Sequence, residues 1–164
     1  MDFVHPSIFF VACAAAVWVL PGRIGRWLPP AAAALAIAAV LGMQPGSYAR
    51  IPYLGLTLGM GRVDALATVF AHVFAIQALI GFIFALHVED RWQHVAACMY
   101  IAGAFGCTFA ADYVTLFIFW ELMSVASTFL IWLQRAPAST RAGIRYFLFH
   151  ILGGLLLLAG LLLR

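Results

Sequence analysis

The sequence predicts an all-α integral membrane protein with about six transmembrane helices. Of its 164 residues, 66% are hydrophobic and only 9% are charged, and the mean hydropathy is +1.05. Soluble domains carry about 45–50% apolar and about 25% charged residues, so a soluble fold of this composition would expose more apolar surface than water tolerates. The apolar residues also form runs separated by short polar breaks, and most of the runs approach the roughly 17–25 residues that cross a bilayer core.

We predict a single transmembrane domain over residues 1–164. Helix-breaking or interfacial residues mark the ends of its helices. Pro21-Gly22 ends the first helix, and Pro29-Pro30 is expected in the opening turn of the second. Trp27 and Trp92 are suited to the membrane interface. The N-terminus lacks the basic region of a cleaved signal, so the first helix is expected to be retained. The predicted helices cover residues 3–20, 27–43, 65–86, 92–111, 113–133 and 142–163.

The longest non-helical segment is predicted at residues 44–62, on the outer side of the membrane. It carries Pro45, Pro52 and four glycines. Apolar and polar residues alternate around Ile51-Pro52-Tyr53-Leu54, a pattern typical of a β-strand. The segment is therefore a candidate for a small hairpin on one membrane face.

The basic residues indicate orientation rather than nucleic-acid binding. All nine are arginines, scattered among short loops without a basic cluster, so nucleic acid is not an expected partner. Cytoplasmic loops carry the excess of positive charge, which favours an N-terminus outside. We expect a multi-pass protein of a cell membrane, of the bacterial inner-membrane type, with Met1 and Arg164 outside. The predicted inner arginines are Arg23, Arg26, Arg91, Arg135, Arg141 and Arg145, and the outer ones are Arg50, Arg62 and Arg164.

Glu121 is the principal candidate for chemistry because it lies near the middle of the fifth predicted helix. A carboxylate at mid-bilayer costs at least ~3 kcal/mol on insertion scales, and such residues mark ion paths and proton relays. Ser124, Thr128 and Arg135 follow at helical spacing and predict a polar stripe leading from Glu121 to the inner end. The alternative is a protonated glutamic acid that hydrogen-bonds a neighbouring helix.

Two membrane histidines are further relay candidates. If helices five and six are antiparallel, His150 lies at nearly the depth of Glu121, and a histidine beside a carboxylate can shuttle protons near neutral pH. His72, in the third helix, is a weaker candidate, with Gln77 nearby. Each histidine could instead satisfy a hydrogen bond between or within helices.

The remaining polar residues favour structural interpretations. Asp64 and Asp112 precede helices and are expected to complement the helix dipoles. His87, Glu89, Asp90, Arg91 and His94 form a loop cluster that is either a solvated face or a collector of protons. No pattern in the sequence predicts a metal site, a catalytic nucleophile or a cofactor, and none is expected.

Three segments resemble a known family. Residues 112–124, DYVTLFIFWELMS, closely resemble the D-x-x-x-L-F-x-F-W-E-L-M-S signature of antiporter-like membrane subunits. This family includes proton-pumping subunits of respiratory complex I and large subunits of Mrp-type sodium/proton antiporters. Residues 62–66, RVDAL, are similar to its third helix. Residues 142–156, AGIRYFLFHILGGLL, are similar to its sixth helix, in the variety seen in D-type Mrp subunits.

The resemblance implies a larger subunit built of inverted repeats, in which the glutamate of the fifth helix corresponds to Glu121. The family's partner lysine, from a later helix, has no counterpart here, so the resemblance favours an N-terminal part or a split piece. It implies partnership with other membrane subunits and transport of protons with Na⁺ or another monovalent cation. Three functions stay open: a cation/proton antiporter subunit, a proton-pumping subunit of an NADH-quinone oxidoreductase or membrane-bound hydrogenase, and a non-transporting assembly subunit. Only the second would make the chain part of an enzyme.

Overall fold

The structure is a computed structural model that describes residues 4–20, 22–53 and 56–163. The prediction of an all-α membrane fold is confirmed, with one small β-hairpin added. Met1 and Arg164, for which the arginine count predicts the outer side, lie outside the described residues. The elements are α1 (Ser7–Val19), α2 (Arg23–Leu41), β1 (Gly46–Tyr53), β2 (Leu56–Val63), α3 (Ala65–Phe84), α4 (Arg91–Phe109), α5 (Tyr113–Trp132) and α6 (Pro137–Leu162).

Four of the described helices are long and apolar enough to cross a membrane. The other two, α1 and α4, do not meet both conditions. The four candidate spans are Arg23–Leu41, Ala65–His87, Tyr113–Trp132 and Pro137–Leu161. Helix α1 is shorter, with 13 residues, and α4 carries Arg91, Gln93 and His94 in its first turn. These two helices pack against each other in the middle of the bundle. Helix α1 differs from the four candidate spans in length, and α4 differs from them in hydropathy.

Small residues bring the first four helices together. Alanines of α2 and α3, among them Ala33, Ala36 and Ala71, are fully buried and allow close backbone approach. At the centre, the ring of Phe10 stacks on those of Phe82 and Phe105, with centroid distances of 6.3 and 5.6 Å. The remaining helices add to this core in series, since α5 packs on α4 and α6 packs on α5.

Two helices begin a full turn or more before their predicted starts. Helix α2 starts at Arg23, so Pro29 and Pro30 lie inside it, and their predicted place in the opening turn is wrong. Proline removes a backbone donor from the helix, and membrane helices tolerate this where neighbours satisfy the freed carbonyls. Helix α6 begins at Pro137, because proline is favoured in the first helical turn, where its missing N–H would have had no partner.

The described residues of segment 44–62 include two strands that pair as its alternating pattern indicates. Strands β1 and β2 pair antiparallel, from Gly46 opposite Val63 to Tyr53 opposite Leu56. The hairpin is fixed to the α4–α5 junction at Gly59. The N–H of Gly59 donates to Oδ2 of Asp112 at 2.6 Å, and its carbonyl accepts from the N–H of Ala111 at 2.8 Å. A Cβ at Gly59 would lie 2.6 Å from that of Ala111, so only glycine permits this approach.

His5 joins the start of α1 to the same junction. Its ring lies between Phe109 and Phe119, with centroid distances of 5.6 and 6.2 Å, and its Nδ1 accepts from the N–H of Ser7 at 3.2 Å. Burial lowers the pKa of His5 to about 4, although a backbone hydrogen bond at Met60 acts in the opposite direction. His5 is therefore a neutral packing residue at physiological pH.

The loops alternate between the two ends of the bundle. Arg26 pairs with Glu89 at 3.2 Å, and Arg135 pairs with Asp90 at 2.8 Å, so the α1–α2, α3–α4 and α5–α6 loops meet at one end. Such exposed ion pairs add little stability, about 0–1 kcal/mol each. The hairpin and the α4–α5 junction lie at the other end. The structure thus gathers at one end the loops that the arginine count predicts to be inside.

Candidate functional site

Glu121 lies at the interface between α5 and α6. A Cβ placed on Gly154 of α6 would overlap Oε1 of Glu121 and would lie 3.5 Å from Cε2 of Phe117. Oε1 is buried and has no hydrogen-bond partner among the described residues. Oε1 therefore points to the neighbouring helix, in a recess that exists because residue 154 has no side chain.

A line of buried polar atoms continues from Glu121 along α5. Ser124 is fully buried and Thr128 nearly so. The hydroxyl of Thr128 donates to the carbonyl of Ser124 at 2.8 Å. Oγ of Ser124 and Nε1 of Trp132 are buried without a hydrogen-bond partner in the described part of the chain, as is Oε1 of Glu121. Nε1 of Trp132 lies against Gly143 of α6. Spacings of three and four residues place Glu121, Ser124, Thr128 and Trp132 on one face of the helix.

Arg135 does not extend this face, and that part of the predicted stripe is wrong. Helix α5 ends at Trp132, and Arg135 follows in a left-handed conformation with φ of 55°. Its guanidinium turns to Asp90 at the loop end of the bundle, and its side chain is 72% exposed. The chain reverses within a few residues to start α6, so the i+14 spacing does not correspond to a helical position.

His150 lies on α6, one helical turn before Gly154. Its ring is 4.6 Å from that of Tyr146 and 6.4 Å from that of Trp120, measured between centroids. One turn of helix is about 5.4 Å, so His150 lies near the depth of Glu121 without a contact to it being observed. The structure brings His150 to the α5–α6 interface, among aromatic rings.

The sequence interpretation missed a hydroxyl pair at this interface. The hydroxyl of Tyr146 donates to Oγ of Ser127 at 3.0 Å, and Oγ of Ser127 donates to the carbonyl of Ser124 at the same distance. The signal was the position of Tyr146, four residues before His150 and therefore on the same face of α6. This bond links α5 to α6 between Glu121 and the arginine-rich end.

His72 lies on a different interface. Its Nδ1 is 2.7 Å from the carbonyl of Thr68, one turn earlier in α3. Helix α3 packs against α2 and α4, whereas Glu121 faces α6. Gln77 is exposed and, with His94, lines a separate cavity of about 580 Å³ between α3 and α4. The structure therefore does not bring His72 and Gln77 together with Glu121 and His150.

Asp64 and Asp112 are N-cap residues. Oδ1 of Asp64 accepts from the N–H of Ala67, and Oδ1 of Asp112 accepts from that of Thr115, each at 2.8 Å. Hydrogen bonds to the backbone, chiefly from Ala67, hold the pKa of Asp64 below its ordinary value. Burial raises the pKa of Asp112, but hydrogen bonds from Thr115 and Gly59 outweigh it and leave the pKa lowered. Both carboxylates are ionised at neutral pH and satisfied by helix starts.

Comparison with known proteins bears on the part of the chain that contains this site. Residues 110–163 match the family model described as NADH:quinone oxidoreductase/Mrp antiporter, TM. The C-terminal third resembles an antiporter-like membrane domain. None of the curated proteins and none of the solved structures compared matches the chain. The matched residues comprise α5, the connecting loop and most of α6, and so include Glu121, Tyr146, His150 and Gly154.

The match supports the family resemblance of motif 112–124 and of segment 142–156, since both lie within the matched residues. It supports an antiporter-like membrane subunit of the complex I or Mrp type. The family description names both classes, so it applies equally to a respiratory proton pump and to a cation/proton antiporter.

Proposed function

We propose that this chain is part of a multisubunit cation/proton antiporter of the Mrp type and that Glu121 carries the proton. The observation that supports this function is Oε1 of Glu121, buried without a hydrogen-bond partner among the described residues, within the segment that matches the family. A carboxylate at mid-membrane costs at least ~3 kcal/mol. A purely structural carboxyl group would offset that cost with hydrogen bonds, and this oxygen makes none in the described structure.

Proton loading at Glu121 would depend on a nearby cation. A carboxyl group in a medium of low dielectric constant favours the protonated form, and a cation within ~4–6 Å favours the ionised form. Approach and withdrawal of a cation therefore unload and load one proton. The cation is a transported ion such as Na⁺ or a basic side chain of a partner membrane subunit. The buried oxygen against Gly154 is the atom that would change its protonation state.

Residues along α5 and α6 would carry protons to and from this group. Ser124 and Thr128 lie on the same face of α5 as Glu121. His150 lies on α6, one helical turn before Gly154. The hydroxyl pair of Tyr146 and Ser127 lies between them and the arginine-rich end, which we assign to the cytoplasm. His72 remains a secondary candidate, on the separate α3 side of the bundle. The Mrp assignment rests on the pattern of residues 142–156, and the competing assignment is the proton-pumping subunit of a quinone-reducing complex.

The test is transport by the complex that contains Glu121→Gln. Glutamine preserves shape and hydrogen bonding but cannot ionise, so cation-induced dissipation of a pH gradient in everted vesicles should fall by roughly tenfold or more. The control is Glu89→Gln, the same substitution at the exposed loop glutamate that pairs with Arg26, for which we expect wild-type transport. A native gel checks the content of assembled complex for each variant.

Each outcome decides between the functions. Normal transport by an assembled Glu121→Gln complex would contradict the proton-carrying role. Loss of the complex itself would indicate that Glu121 is structural and would support the assembly subunit. Proton uptake driven by NADH, with no response to added Na⁺, would replace the antiporter by the respiratory pump.

A further inference from the structure

The second half of α6 contains three glycines whose surroundings differ. A Cβ on Gly153 or on Gly160 would meet no atom within 4 Å. A Cβ on the neighbouring Gly154 would overlap Oε1 of Glu121 and would also lie 3.4 Å from its Cδ. Of these two adjacent glycines, Gly153 therefore faces open space and Gly154 faces the carboxyl group of Glu121.

We propose that Gly154 is a positioning residue for Glu121, because its missing side chain forms the recess of α6 in which the carboxyl group is held for proton transfer. This inference rests on the proposed function and names the residue that sets the geometry of its site. Phe117 closes one wall of the recess, with Cε2 3.5 Å from the position of a Cβ on residue 154. The recess fits a carboxyl group lying directly against the backbone of α6.

Contacts on the loop side of the recess fix the spacing of the two helices independently of residue 154. The hydroxyl of Tyr146 donates to Oγ of Ser127 at 3.0 Å. Further along, Gly143 accommodates the indole of Trp132 in the same manner as Gly154 accommodates Glu121. A methyl group at residue 154 therefore meets a helix pair that is already held together elsewhere.

The side chain of Glu121 would move to accommodate that methyl group. Oε1 is the far end of an unbranched side chain with several rotatable bonds, so rotation of the carboxyl group relieves the overlap at low cost. At Gly106 of α4, by contrast, a Cβ would overlap the rigid ring of Phe119. Gly154→Ala is thus expected to move the carboxyl group while leaving the packing of α5 and α6 in place. A misplacement of about 1 Å at a reacting group can cost about 100-fold in rate.

The experiment compares Gly154→Ala with Gly153→Ala in the assembled complex. Both changes add one methyl group and raise helix propensity equally, but only the former meets Glu121. We expect cation-induced pH-gradient dissipation to fall roughly tenfold in Gly154→Ala and to stay at the wild-type level in Gly153→Ala. The infrared carbonyl band that disappears in Glu121→Gln should shift in Gly154→Ala and remain in place in Gly153→Ala.

A second variant separates positioning from general packing. Glu121→Asp shortens the side chain by one methylene and makes room for the methyl group of Gly154→Ala. The double variant should therefore transport faster than Gly154→Ala alone and should regain any complex that Gly154→Ala loses on a native gel. Equal transport by Gly154→Ala and Gly153→Ala would overturn the positioning role. Failure of this rescue would also overturn it where Glu121→Asp alone still transports.

The infrared band separates failure of this inference from failure of the proposed function. If Glu121→Gln transports normally, the proposed function is wrong, yet a band shift confined to Gly154→Ala still shows that Gly154 positions the carboxyl group. If Glu121→Gln abolishes transport and the band is unchanged in Gly154→Ala, the function stands and the positioning role is refuted.

Discussion

The two sides of α5 contact their neighbours in opposite ways. Toward α4, the contact is apolar and close: a Cβ on Gly103 would lie 2.6 Å from Cγ of Met123, and one on Gly106 would overlap the ring of Phe119. Toward α6, the side chains of Glu121, Ser124 and Trp132 each bury a polar atom without a hydrogen-bond partner among the described residues. One helix therefore carries an anchoring face and a polar face.

The difference shows how a membrane helix can hold a costly carboxyl group in a defined position. The α4–α5 contact joins α5 to the core of α1–α4, where the buried cluster of apolar side chains lies. Helix α6, in contrast, packs on the polar side of α5, and in the described structure a much smaller share of α6 than of α5 is buried. The anchoring face fixes the helix, so the polar face can be specialised for chemistry.

The largest effect is expected at the anchoring face. Gly106→Ala places a methyl group where the ring of Phe119 lies. The ring of His5 stacks on that of Phe119 at a centroid distance of 6.2 Å and opposes its movement. Overpacking of this kind costs about 1–3 kcal/mol. We expect a lower thermal unfolding temperature in detergent and less assembled complex on a native gel.

The matched control for this substitution is Gly81→Ala, also within a helix but with no atom within 4 Å of the added Cβ. Its stability should equal or exceed that of the wild type, because alanine favours helix by about 1 kcal/mol over glycine. Equal stability of the Gly106→Ala and Gly81→Ala proteins would show that the α4–α5 contact is looser than described.

An intermediate effect is expected from Glu121→Asp on the polar face. The carboxyl group is retained but withdraws by one methylene from the recess at Gly154, so transport should lie between that of the wild type and that of Glu121→Gln. The measurement is the initial rate of cation-induced pH-gradient dissipation, normalised to complex content. Glu89→Asp is the control, since its loop side chain is 82% exposed. Transport by Glu121→Asp as low as that of the glutamine variant would mean that position, and not ionisation alone, governs the site.

The sequence predicts Glu121 as the candidate functional residue, but it does not predict which residues of α6 surround the carboxyl group. Hydropathy locates helices because a membrane-spanning segment must satisfy its backbone hydrogen bonds internally, and the cost of burial singles out Glu121. The recess at Gly154 depends on the register of α5 against α6, which single-helix periodicity does not contain. The predicted role of Arg135 in the stripe failed for a related reason. Helix spacing applies only inside a helix, and α5 ends at Trp132.

The smallest effect is expected from His150→Ala, which tests how far the polar face extends beyond Glu121. The imidazole lies among the aromatic rings of Trp120 and Tyr146, and a water molecule can bridge a gap of this size where polar partners line it. We expect transport to fall by about threefold, equivalent to less than about 1 kcal/mol in barrier height.

Tyr146→Phe serves as the companion variant, because it keeps the ring beside His150 and removes only the hydroxyl that donates to Ser127. If His150 carries protons, its replacement slows transport while Tyr146→Phe with intact His150 does so less. If the two residues only hold α6 on α5, both variants lower thermal stability and neither changes the transport rate per assembled complex. A loss as large as that of Glu121→Gln would place His150 beside the glutamate as an obligatory carrier and would extend the functional face of α5 onto α6.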